Sequence, residues 1–137
     1  MALAYVVTLE KEIPAMVAYT KAGSGRALAR ESERLDTAAR TKKVAAITSM
    51  LSENPAKLIA QLIEEGFDPT RMRFPAEAWF PASDGLAAVR GLIEHVSGNL
   101  NNFKQPNPIL RDLKAVEEIL SAAEAAGVRF HFTKTNL

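Results

Sequence analysis

The chain has 137 residues, a formal net charge of +1, an apolar fraction of 47% and no cysteine. This length and composition are typical of one packed globular domain, so we expect residues 1–137 to fold as a single unit. The lack of cysteine excludes disulfides, thiolate metal sites and cysteine nucleophiles. A net charge near zero gives no general attraction to nucleic acids or anionic membranes.

No stretch of the sequence has enough consecutive apolar residues to cross a bilayer. The apolar run from Met1 to Val7 lacks the basic start and the small-residue cleavage site of a signal peptide. We therefore expect a soluble, cytoplasmic protein with no membrane partner.

The first half of the chain predicts one strand followed by helices. Residues 3–9 are rich in β-branched and aromatic side chains, which predicts a strand. Pro14 suits the start of a short helix that ends at the turn 23–25. The segment 26–52 contains no glycine or proline and predicts helix, but its apolar stripe is thin. We expect a break near residues 41–43, with a solvated part before it and a buried part after it.

The second half of the chain carries two repeated signals for the start of a helix. Asn54–Pro55 and Asn107–Pro108 each place a capping side chain before a proline, and Gly66 and Gly127 are expected to end these helices. A further helix is expected to start at Ser83 or Asp84. The loop 67–81, between Gly66 and this helix start, holds four aromatic residues and three prolines, and we expect it to be ordered and packed.

The last segment alternates between apolar and polar side chains. Val128, Phe130 and Phe132 alternate with Arg129, His131 and Thr133. This period of two predicts a half-buried strand with His131 facing solvent. Because a lone strand leaves its backbone groups unpaired, the two terminal strands are expected to pair with each other. The predicted fold is α+β and mainly helical, with four to five helices packed on this small sheet.

Metal and nucleophile chemistry find little support in the residue types. A catalytic zinc usually needs three protein ligands, and the chain offers two histidines, His95 and His131, with no paired spacing. Ser24 lies between two glycines, but this is not the spaced-glycine motif of a serine nucleophile. We expect no metal site, no catalytic residue and no cofactor, and the sequence does not favour an enzyme.

A basic segment is the most distinctive charge feature. Residues 21–43 hold seven basic and three acidic side chains, with several spacings that allow ion pairs along a helix. A solvated, salt-bridged helix is the leading interpretation; docking of an acidic protein comes second and nucleic-acid binding third. The candidate partner-binding residues are Arg26, Arg30, Arg34, Arg40, Lys42 and Lys43.

The turn at residues 23–25 offers a weaker possibility, because backbone amides at a helix start can bind an anion. Arg26 in that first turn opposes the helix dipole unless an anion or a carboxylate lies nearby. A plain turn between helices is the preferred interpretation.

Aromatic side chains next to a predicted helix start supply one alternative ligand site. Trp79 and Phe80 most simply pack onto the first turns of that helix, and Arg90 is placed to stack on the indole or to pair with Glu94. The alternative is a small cleft for an anionic group near the C-terminal strand, formed by Trp79, Arg90, His95 and His131.

The C-terminal half carries a resemblance. The run WFPASDGLAAVRGLIEHV and the later run RDLKAVEEILSAAEAAGVRFHF resemble small uncharacterised bacterial proteins that share Trp-Phe, Asp/Glu-Gly-Leu and Val-Arg at this spacing. The similarity covers residues 77–133. It implies a bacterial cytoplasmic origin and brings no activity or site residue with it.

Three functions follow as hypotheses. The first is a non-catalytic protein-interaction or regulatory module that binds a protein partner or a second copy of itself, because sheet edges can be extended. The second is a small-molecule-binding domain or an enzyme acting on an anionic ligand near Trp79 and Arg90. The third and weakest is nucleic-acid binding through residues 26–43.

Overall fold

The computed structural model describes residues 3–22 and 24–136, except for the side chains of Arg71 and Asn136. Six α-helices and two β-strands lie within these residues, with short 3₁₀ turns at Ile47–Met50, Pro69–Arg71 and Leu100–Asn102. In chain order the elements are β1 (Leu3–Leu9), α1 (Ala15–Ala22), α2 (Arg26–Arg30), α3 (Ser32–Lys42), α4 (Pro55–Glu64), α5 (Ala82–Gly98), α6 (Pro106–Ala126) and β2 (Phe130–Asn136).

The two strands form an antiparallel sheet, with Leu3 opposite Asn136 and Leu9 opposite Phe130. The predicted mainly helical α+β fold, in which the N- and C-terminal strands pair, is therefore confirmed. A two-stranded sheet is marginal in water on its own and has to be covered by other elements. On the face that carries Phe130 and Phe132, Gly85 of α5 and Leu120 of α6 lie next to the ring of Phe130.

Gly85 is required where α5 crosses the sheet. A Cβ atom at this position would lie 2.4 Å from the ring of Phe130 and 2.7 Å from the side chain of Leu120. The absence of a side chain lets α5 approach the sheet and α6 together, although a glycine inside a helix costs about 1 kcal/mol relative to alanine. The close packing of the core at Phe130 therefore requires glycine at position 85, despite its cost to the helix.

The basic segment is divided at two places. The expected break near residues 41–43 is confirmed, because α3 ends at Lys42 and Lys43 takes a positive φ of 58°. A second break, which the sequence did not predict, lies at Glu31 between α2 and α3. The expected solvated first half is wrong for α2, because Ala27, Leu28 and Ala29 are buried. The later part follows the expectation in that Ile47 and Met50 are buried, but they lie in a 3₁₀ turn.

A buried carboxylate lies at the start of α2. Oδ2 of Asp112, on α6, accepts a hydrogen bond of 3.2 Å from the backbone N–H of Ala27, and Asp112 is only 2% exposed. The first N–H groups of a helix have no partner within the helix, and a negative charge is favoured there. Asp112 thus supplies a carboxylate at the start of α2, where it binds the backbone N–H of Ala27. Part of the predicted turn, Gly23, lies outside the described residues.

Local signals placed some helix ends better than others. Asn54 accepts a hydrogen bond from the N–H of Ala56 as the predicted cap of α4, and Gly127 ends α6 with a φ of 69°. Helix α5 begins at Ala82, before the predicted Ser83 or Asp84, and α6 begins at Pro106, one residue before Asn107. Pro81 is the residue just before α5 and Pro106 is the first residue of α6, and neither helix start has a side-chain capping hydrogen bond.

The outer edge of β1 is closed by α1 and by the start of α2. The N–H of Val7 donates a hydrogen bond of 2.8 Å to the Tyr19 hydroxyl, and the N–H of Tyr5 donates one of 3.0 Å to the carbonyl of Gly25. Gly25 has a φ of 77°, and a Cβ atom there would lie 2.1 Å from the Tyr5 carbonyl oxygen. A second copy therefore finds these two backbone N–H groups already paired.

No helix in the described part of the chain is both long enough and apolar enough to pass through a bilayer. The longest one, α6, buries one face in the core and exposes charged residues on the other.

We expect Gly85→Ala to destabilise the protein by about 1–3 kcal/mol, because the added methyl group overfills the contact with Phe130. Gly98→Ala is the matched control, because a Cβ at the last residue of α5 meets no atom within 4 Å. The control should be neutral or slightly stabilising. Urea unfolding of both variants measures the difference, and equal stabilities would contradict the packing role of Gly85.

Burial raises the pKa of Tyr19 from 10.0 to about 12, and the nearby Asp112 carboxylate adds to the rise. The neutral phenol is thus favoured in the folded state, so its contribution is complete below pH 10 and is lost as the pH rises towards 12. The free energy of unfolding of the wild type should fall by on the order of 2 kcal/mol more than that of Tyr19→Phe over this range. Parallel pH profiles of the two proteins would contradict this expectation.

Candidate functional site

An apolar groove lies between α4, the segment before α5 and the end of β2. Its volume is about 330 Å³. The apolar side chains of its lining include Leu51, Pro55, Leu58, Phe74, Ala76 and Ala78. Ser52, Glu53 and Lys134 supply the polar atoms. A mostly apolar concave surface with a few polar groups is the usual form of a binding site in a protein.

The segment that forms one wall of the groove is held by backbone contacts. The N–H of Ala78 donates a 2.8 Å hydrogen bond to Oγ of Ser52, whose own N–H donates to the carbonyl of Phe132 at 2.9 Å. Phe80 and Phe130 exchange two backbone hydrogen bonds, which attach the same segment to β2. The wall is therefore fixed to the sheet at two points, even though it contains no regular helix or strand.

Alternation along this segment sends its side chains in two directions. Ala76 and Ala78 line the groove, whereas Glu77 and Trp79 contact His131 on β2. A period of two is the expected pattern for extended backbone. It explains how one short segment both forms a binding surface and covers a face of the sheet.

His131 is buried, at 1% exposure, and the prediction that it faces solvent is wrong. Its Nε2 lies 2.7 Å from Oε2 of Glu77, and its ring centroid lies 4.6 Å from that of Trp79. The alternation of β2 does turn His131 away from the core side of the sheet. That second face is covered as well, by a segment that lies 54 residues earlier in the chain.

Both ring nitrogens of His131 face hydrogen-bond acceptors. Nδ1 lies 3.0 Å from the carbonyl oxygen of Phe132, and Nε2 lies against the Glu77 carboxylate. The hydroxyl of Thr133 is 3.3 Å from Nδ1 and 2.7 Å from the hydroxyl of Thr8 on β1. A hydroxyl, an imidazole and a carboxylate in this order resemble a nucleophile and its base. The ring is enclosed, however, and a base that works on a substrate has to reach its proton.

Helix α4 presents apolar side chains that the rest of the chain does not fully cover. None of its residues is buried, and Ile63 is 58% exposed. Two apolar side chains that follow α4 in the chain, Phe67 and Met72, are also exposed, at 54% and 42%. The expectation that the aromatic loop 67–81 is packed throughout is therefore wrong for Phe67. Large apolar side chains exposed close together commonly mark an interaction surface.

The four candidate ligand residues do not form one cleft. Trp79 and His131 are in contact, as the hypothesis required. Arg90 pairs instead with Glu117 on α6 at 3.3 Å, and its proposed partner Glu94 pairs with Lys42 at 2.8 Å. His95 lies edge-on to Phe103, with ring centroids 6.4 Å apart.

The six candidate partner-binding residues lie on two helices and just beyond them. Lys42 is half-buried beside Glu94, and the other five are exposed: Arg26, Arg30, Arg34, Arg40 and Lys43. Arg34 pairs with Glu31 and also donates to the carbonyl of Asn102. The break at Glu31 interrupts the ridge that Arg26, Arg30 and Arg34 would form on one continuous helix. Part of this surface is thus engaged within the chain.

Within the described residues, no three histidine, aspartate or glutamate side chains are grouped closely enough to hold a metal ion. The groove residues Ser52, Leu58, Ala76 and Lys134 were not identified as site residues from the sequence. The alternation of residues 74–79 was the available signal, but the three prolines around it favoured an irregular loop.

Comparisons with known proteins give no family for this chain. No protein-family model matches it, and no curated protein and no solved structure is significantly similar to it.

We expect Glu77→Ala to lower stability by about 1–3 kcal/mol, because it leaves the buried Nε2 of His131 without its partner. Glu53→Ala is the matched control, since Glu53 is an exposed carboxylate in the groove, and it should change stability by less than about 0.5 kcal/mol. Unfolding followed by fluorescence of Trp79, the single tryptophan, measures both variants. If the two variants lose the same stability, the contact between Glu77 and His131 does not stabilise the fold as expected.

Proposed function

We propose that this chain is a non-catalytic protein-interaction module that binds an extended, apolar segment of a partner protein. The observation that carries the proposal is the apolar groove beside Lys134 of β2, next to the incompletely covered face of α4. The partner segment would lie in the groove between Leu58 and Ala76.

The outer edge of β2 supplies the first argument for an extended occupant. Phe130 and Phe132 direct backbone groups away from β1, where Phe80 and Ser52 pair with them. Alternate residues of an antiparallel strand point their backbone groups to the same side. Lys134 follows in this series and lines the groove. An extended peptide that pairs there would continue the ladder, which is a common mode of peptide recognition.

The groove walls supply the second argument. Successive side chains of an extended peptide point to opposite faces, so every second side chain would enter the groove. Leu58, Phe74 and Pro55 offer an apolar surface for these side chains. Lys134 and Glu53 place one charge of each sign beside that surface, which favours an occupant with polar or charged residues flanking its apolar ones.

The size of the groove favours a peptide segment over a second copy of the chain. A volume of about 330 Å³ accommodates a few side chains. A stable symmetric dimer usually buries roughly 800 Å² on each copy. The closed edge of β1 also removes the simplest route to a continuous sheet between two copies.

The other hypotheses have weaker support. The enclosed ring of His131 and the Arg90–Glu117 pair leave the anionic cleft near Trp79 without its expected cation. Nucleic-acid binding through residues 26–43 loses the continuous basic ridge at Glu31. The apolar groove contains neither the residues of that cleft nor those of the basic segment, so the proposal does not depend on these hypotheses.

Selection of random peptides displayed on phage tests the proposal. Wild-type protein is the target, and Ala76→Trp, which fills the groove from an exposed position, is used for counter-selection. Ala60→Trp is the matched control, because Ala60 is exposed on α4 and does not line the groove. We expect enriched peptides to share spaced apolar residues and to bind Ala76→Trp at least about tenfold more weakly than Ala60→Trp.

Fluorescence anisotropy with a labelled enriched peptide gives the dissociation constants, and urea unfolding shows that each variant is folded. Failure to enrich any peptide would overturn the proposal, as would equal binding to the two tryptophan variants. A wild-type dimer in light scattering that Ala76→Trp dissociates would replace the partner segment with a second copy of the chain.

A further inference from the structure

A second cavity lies beside β1, whereas the groove lies beside β2. It is an open cavity bordered by β1, α1 and the first turns of α6, and its volume is about 590 Å³. Its apolar walls come from Val6, Val7 and Met16, together with Tyr19. The groove at Lys134 borders β2, so the two concave surfaces share no lining residue.

Two cationic side chains lie on the lining of this second cavity. They are Lys21, in the last turn of α1, and Arg111 on α6. Neither takes part in the ion pairs formed among the described residues. No carboxylate is among the lining residues of this cavity, so an anion bound there would be attracted by both cations.

Ser24 adds a hydroxyl donor to the same cavity. Its Oγ accepts a hydrogen bond of 3.2 Å from the N–H of Arg26, which leaves the hydroxyl proton available to donate. An anionic oxygen is a good acceptor for such a donor and for a guanidinium group. The cavity therefore combines apolar walls with three side chains that can donate hydrogen bonds to a negatively charged group.

We propose that this cavity binds a small amphipathic carboxylate, with its charged group between Lys21 and Arg111 and its apolar body against Val6, Val7 and Met16. The volume lies within the usual range for small-molecule sites, which is about 300–1,000 Å³. A fully polar anion would leave the apolar walls unused, and an uncharged apolar molecule would leave the two cations unpaired.

The buried carboxylate of Asp112 sets the orientation of the ligand. Asp112 is close enough to Tyr19 for its negative charge to raise the pKa of that phenol further, after the larger effect of burial. A second negative charge beside Tyr19 is therefore disfavoured. The ligand carboxylate is directed to the rim, where Arg111 is exposed, and the apolar body points inward.

Titration of the ¹⁵N-labelled protein with decanoate, below the concentration at which it forms micelles, tests this site. We expect saturable shifts of the amide signals of Val6, Val7, Met16 and Tyr19. Arg111→Gln should raise the dissociation constant about tenfold, because it removes a charge-assisted hydrogen bond. Arg40→Gln, an exposed position on α3 with the same change of charge, is the matched control and should bind as the wild type does.

Two further ligands and one further variant complete the test. Decanol should bind more weakly than decanoate, and inorganic phosphate should give no saturable shifts at Val6 or Met16. Lys21→Gln should weaken decanoate binding in the same direction as Arg111→Gln. The proposal is overturned if decanoate binding does not saturate, if Arg111→Gln and Arg40→Gln bind equally, or if the shifts cluster around Leu58 and Lys134 instead.

Discussion

The hydrogen-bonded ladder between β1 and β2 joins segments that are far apart in the chain: Thr8 and Thr133, which are hydrogen-bonded across it, are separated by 125 positions. A two-stranded sheet is too small to be stable alone, so each of its faces and edges has to be covered by other elements. Gly85 of α5 and Leu120 of α6 lie beside Phe130 on one face, and Glu77 and Trp79 contact His131 on the other. Both candidate binding surfaces are formed where this cover meets the strands.

Much of the fold was predictable because its signals are local. The alternation of residues 128–133 and the caps at Asn54 and Gly127 depend on residues within a few positions of one another. The break at Glu31 was not predictable in this way. It separates α3 from α2, whose middle residues are buried in the core. The start of α2 is bound by the carboxylate of Asp112, which lies 85 positions from Ala27 in the chain. His131 shows the same limit, because its polar side of the strand is buried only by a distant segment.

The candidate sites were less predictable than the fold. Arg90, His95 and His131 are residue types that carry chemistry and therefore stand out in the sequence, but in the structure they take part in three separate contacts. The groove is lined instead by small and apolar side chains such as Ala76, whose type is common throughout the core. These side chains form a binding surface because no other part of the described chain covers them, and that depends on tertiary packing and not on residue type.

The long separation between the two strands also affects when the groove can exist. Contacts between residues far apart in sequence form late in folding, because closing a long loop costs entropy before the contact is gained. Lys134 and the carbonyl of Phe132, which holds Ser52, belong to the strand that completes the ladder. During synthesis on the ribosome, β1 and all six helices leave the exit tunnel before β2 does. The groove is then assembled only after β1 and these helices have left the tunnel, so a nascent chain carries the apolar face of α4 before the site that would bind a partner exists.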